Sequence, residues 1–144
     1  MLTAPQTDLA TTTEERIAAI EHERARVAAG GMPRHDACVM TWVARMSAMT
    51  EDDDGFGRIH SDDEAEWGWW MAPRFSSLAA ASAFAMEQAA DATKTTLTRQ
   101  ALLRDYDDVH DLRWEVVESR LSVRDDEPGR VMLSVACDEG VMPL

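Results

Sequence analysis

Lysine is almost missing from this chain: Lys94 stands alone against thirteen arginines. The cations that remain are outnumbered by Asp and Glu, leaving a net charge of −13 and a pI near 4.5. A field of that sign repels phosphate backbones and anionic lipid headgroups, so neither direct nucleic-acid binding nor membrane attachment is expected. It attracts basic proteins and divalent cations instead. The preference for Arg, beside abundant Ala and Asp, suggests a GC-rich bacterial or phage genome.

Cysteine is also scarce. Cys38 and Cys137 cannot make a disulfide framework. The opening MLTAPQTDLATTTEER joins no basic stretch to an apolar core, so no signal peptide is expected. No apolar run approaches the ~18 residues of a spanning helix. Together these point to a cytoplasmic protein with two reduced thiols. Several catalytic signatures are missing too. The chain has no Gly-x-Ser-x-Gly elbow, no phosphate-cradling Gly-x-x-x-x-Gly-Lys and no dinucleotide fingerprint.

What is present reads as one small α+β domain. Its 144 residues are 45% hydrophobic and 28% charged, enough for a core without metals or disulfides. Residues 1–11 are polar and aperiodic, and are expected to be a flexible tail. Residues 12–29 read as a helix. Thr11 or Thr12, with Glu14 or Glu15 three residues on, forms a capping-box pattern, Ile17, Ile20, Arg24 and Val27 share a side, and Gly30–Gly31 stops the run. Residues 36–49 fit either a helix, through Val39, Trp42, Val43 and Met46, or a buried strand, through their Val, Thr and Trp content. The strand is slightly favoured. A turn at Gly55 and Gly57 and a short strand over 66–72 follow.

Residues 75–106 form the longest helical region, with a break expected near 93–96 where threonines crowd. A C-terminal hairpin pairs 112–123 with 130–137. Its first strand loses alternation between Val116 and Val117, suggesting a bulge, and Val131, Leu133, Val135 and Cys137 share a face of the second. The expected architecture is an N-terminal helix, a mostly antiparallel sheet with a C-terminal β-hairpin, and one long helix packed on it, all within a single domain over 12–144.

The richest stretch for function is 51–70. Residues 51–66 hold eight carboxylates, and WGWW follows at 67–70. Glu51, Asp52, Asp53, Asp54, Asp62, Asp63, Glu64 and Glu66, with Trp67 and Trp70, are the candidate partner-binding residues. Carboxylates meet basic groups, and tryptophan is a good interface anchor. A second acidic stretch, 105–127, adds nine carboxylates. The leading expectation is a non-enzymatic interaction protein that binds a basic protein surface. Its sharper form is a nucleic-acid mimic inhibiting a nuclease, restriction or CRISPR effector, in the manner of phage or mobile-element inhibitors. This form requires the two acidic stretches to share a surface.

Two alternatives compete. Residues 52–63, DDDGFGRIHSDD, follow the spacing of a calcium loop, with Asp52, Asp54 and Asp63 as ligands and Gly57 at the sharp turn. Phe56 stands where an oxygen is wanted, and Asp63 where a longer Glu normally reaches the ion. No other cofactor is expected. The third class is a small enzyme using His110 or His60 with nearby carboxylates. A zinc site from His35 and Cys38 would lack half its ligands.

Overall fold

The structure is a computed structural model. It describes residues 12–34, 37–61, 72–124 and 126–139. Helix α1 spans Thr13–Ala28, followed by strands β1 (Cys38–Asp52), β2 (Gly55–His60) and β3 (Arg74–Phe75). Helices α2 (Leu78–Ala89) and α3 (Ala92–Leu102) come next, then β4 (Asp108–Ser122) and β5 (Asp126–Ala136). The sheet order is β2-β1-β4-β5, with β3 beside β1, and every pairing is antiparallel. The α+β class holds. Among the described residues no helix is long and apolar enough to cross a membrane.

The elements start where the sequence provides caps. Thr12 and Glu15 close a reciprocal capping box at α1. Ser77 accepts from Ala80 at α2, and Asp91 accepts from Lys94 at α3. The long helical region is therefore divided at Ala90–Asp91, slightly before the threonines. The threonines themselves stay helical, because Thr95, Thr96 and Thr98 turn their hydroxyls onto carbonyls one turn back. The 36–49 ambiguity resolves as strand.

Strand alternation sorts the long central pair into two unlike faces. Ala44 lies opposite Val116 and Met46 opposite Trp114, and these join Ala81, Ala85 and Ala89 of α2 in the main core. The alanine face lets the helix come close to the sheet. Phe84 meets Trp114 edge-on, with ring centroids 5.6 Å apart. The alternate row pairs Val39 with Leu121, Thr41 with Ser119, Val43 with Val117 and Arg45 with Glu115. At one end of this second face α1 seats Ile17, Ile20 and Val27 on Val39, Leu121 and Val123. The rest of the face is polar and partly hollow.

This two-sided burial explains the slip at Val116–Val117: each valine is buried on its own side. A register shift does fall there, with the extra residue, Met132, in β5. In consequence Val131 leaves the face of Leu133 and is half exposed.

Candidate functional site

The two acidic stretches meet at one end of the sheet. β1 runs long enough that Glu51 lies directly across from Asp108, and the Asp107 N–H donates to the Glu51 carbonyl at 2.8 Å. The chain then reverses through Asp53 and Asp54. Asp52 Oδ1 accepts from the Asp54 N–H at 2.9 Å, and Gly55 takes a φ of +118° that closes the turn. Asp52, Asp53, Asp54, Asp105, Asp107 and Asp108 are all exposed there. His110 stands beside them in β4, with Nδ1 at 2.9 Å from Asp108.

Phe56 lies across from Glu51 in this end and is 71% exposed. It borders a shallow groove of about 210 Å³ shared with Thr50, Asp52, Asp54, Ile59 and Tyr106. In the sequence Phe56 reads only as a misfit in a calcium loop. Its placement in a strand, pointing to solvent amid carboxylates, is the signal that sequence spacing missed.

Of the candidate residues, the structure brings Glu51, Asp52, Asp53 and Asp54 together with the start of β4. Asp62, Asp63, Glu64, Glu66, Trp67 and Trp70 lie outside the described residues, as do His35 and most of the strand expected at 66–72. The calcium-loop spacing falls on a tight β-hairpin. Gly57 and Ile59 are laddered against Thr50 and Ala48, and strands rather than helices flank the turn. Among the described residues no three His, Cys, Asp or Glu side chains converge as a metal site would require.

The remaining acids of 105–127 are mostly spoken for. Asp111 bonds Arg58 and Arg113. It sits at a bulge opposite Ala48 with a φ of +50°, which an aspartate tolerates. Burial raises its pKa, but the hydrogen bonds from Arg58 and Arg113 outweigh that and hold the carboxyl below its usual range. Glu118 accepts from Arg130 at 2.9 Å. Glu115, buried, accepts from Arg45 at 3.1 Å, with His60 Nε2 at 3.9 Å. Asp126 takes Arg24 on one oxygen at 2.8 Å and Arg74 on the other at 3.1 Å. Arg74 in turn donates to Thr41 at 2.6 Å and Ser119 at 3.1 Å.

Of these groups, Arg45, Arg74, Glu118, Ser119 and Asp126 border a cavity of about 580 Å³ on the sheet's second face. Its lining includes Val43 and Val117, with Arg45, Arg74, Ser61 and Asp126. In the sequence Arg45 and Arg74 are twenty-nine residues apart and carry no motif. Only the pairing of Val43 with Arg74 in β3 brings the second arginine to this face.

The cysteines are far apart. Cys38 pairs with Ser122 at one end of β4, whereas the Cys137 N–H donates to Leu112 near the other, so both thiols are free. Burial pushes the Cys137 thiol up to about 11.

No protein family, curated protein or solved structure matches this chain.

Proposed function

We propose that this chain is a non-enzymatic interaction protein that binds a basic protein surface with the acidic end of its sheet. The supporting observation is the pairing of Glu51 with Asp108, which gathers carboxylates from both acidic stretches around an exposed aromatic ring. Interfaces draw most of their energy from a few buried anchors, while surrounding charges guide the approach. Phe56 is the anchor in this reading. The exposed carboxylates are the guide, pairing with Arg and Lys of the partner. In its narrower form the partner is a nucleic-acid-handling enzyme, and the carboxylates occupy the place of phosphates. That role belongs in the cytoplasm of a bacterium or a phage-infected cell.

The test is affinity capture from such cells with the tagged full chain, washed at low and then high salt. The wild type is expected to retain a basic protein that salt releases. The triple variant D52K/D53K/D54K and, separately, Phe56→Ala should both lose it. Equal retention by all three would overturn the reading. Adding duplex DNA separates the two forms: competition supports the mimic, and unchanged capture leaves only the broader interaction.

A further inference from the structure

We infer that the cavity on the second face of the sheet is a binding site for a small carboxylic acid with an apolar body. Its volume of about 580 Å³ lies in the range of small-molecule sites, which combine apolar walls with a few convergent polar groups. The cross-strand pair Val43 and Val117, with Ala72 and Pro128, supplies the apolar wall.

Arg74 supplies the recognition. Thr41, Ser119 and Asp126 take three of its five N–H donors, which fixes the plane of the guanidinium. The Nε–H and the second Nη2 hydrogen have no partner among the described residues. These two donors are left to pair with a carboxylate. Ser61 adds a hydroxyl at the cavity wall. Its oxygen accepts from the Met46 N–H at 2.8 Å, which leaves the hydroxyl proton to donate.

Among the described residues the charges favour a single anion. Asp126 is shared by Arg24 and Arg74, so that trio carries one net positive charge. Arg45 is balanced by Glu115, and Glu118 by Arg130. A monocarboxylate neutralises the remainder. A free phosphate would bring more charge than the trio carries and would leave the valine wall bare.

The experiment is a titration of the full chain, followed through its amide resonances, with 4-methylpentanoate. Its uncharged amide and inorganic phosphate serve as comparison probes. Expected are saturable shifts at Ser61, Ala72 and Ser119 with a Kd of about 1 mM or tighter, and none from the amide. Arg74→Gln should weaken binding at least tenfold. Because that variant also loosens the Thr41–Ser119–Asp126 network, the wild-type shift map is the deciding measurement. No saturable shifts at concentrations roughly tenfold above that Kd would overturn the inference. So would equal shifts from the amide, tighter binding of phosphate, or shifts centred on Asp53 and Phe56.

Discussion

At the scale of single residues, the two thiols have opposite environments. Cys38 is exposed, whereas Cys137 is buried with its thiol pushed up to about 11. At pH 8 a disulfide reagent should label Cys38 quickly and Cys137 only as fast as the protein opens, giving one fast and one slow phase. Equal rates would contradict the packing. The same shift sets a pH dependence. The folded thiol ionises later than an unfolded one of ordinary pKa 9.0, so its contribution is complete below pH 9 and fades as pH rises toward 11. A Cys137→Ser variant should show a flatter alkaline limb in thermal denaturation. Asp111 works in the other direction. Its lowered pKa favours the folded state above the usual carboxylate range and is lost in acid, so Asp111→Asn should flatten the acid limb.

At the scale of elements, the turn at 53–55 separates two glycines that look alike in sequence. Gly55 has a φ of +118°, whereas Gly57 is an ordinary strand residue, and a Cβ on either meets open space. Gly55→Ala should cost about 1–2 kcal/mol through backbone strain alone, and Gly57→Ala should be near neutral. Urea denaturation of the pair measures the difference. Asp91→Ala should cost about 1 kcal/mol by removing the cap that restarts the helix as α3. Elements with local signals were legible in the sequence: a capping box at the start of α1, the turn near Gly55, and the strand character of 130–137. The C-terminal turn was expected at Pro128–Gly129, but both residues lie within β5, where Pro128 pairs with Ser119. The break between α2 and α3 was foreseen but misplaced, because Asp91 as a cap outweighs the low propensity of the threonines. The site was less legible. Residues 51–54 were recognisable by charge, but their meeting with 105–108 depends on cross-strand register, and the Arg74 cavity on a two-residue strand pairing. Neither leaves a periodic trace in the chain.

At the scale of the whole molecule, charge is distributed unevenly. Among the described residues, exposed carboxylates crowd the end formed by 51–54 and 105–108, whereas on α1 Arg16, Arg24 and Arg26 are interspersed with Glu14, Glu15, Glu21 and Glu23. Cross-strand like charges are unfavourable, and salt screens them, the Debye length falling from about 30 Å at 0.01 M to about 3 Å at 1 M. Raising ionic strength should therefore raise the wild-type melting temperature and do so less in D52K/D53K/D54K; an identical salt response would argue against stored repulsion at this end. The facing of Glu51 and Asp108 has a dynamic consequence as well. Repulsion across the last rung of the β1–β4 ladder favours fraying there, so the Asp107 amide, which rests on the Glu51 carbonyl, should exchange its hydrogen faster than amides near Val116. A cationic partner laid across that rung would act as a clamp, and the slowing of exchange at Asp107 would report its arrival from inside the backbone.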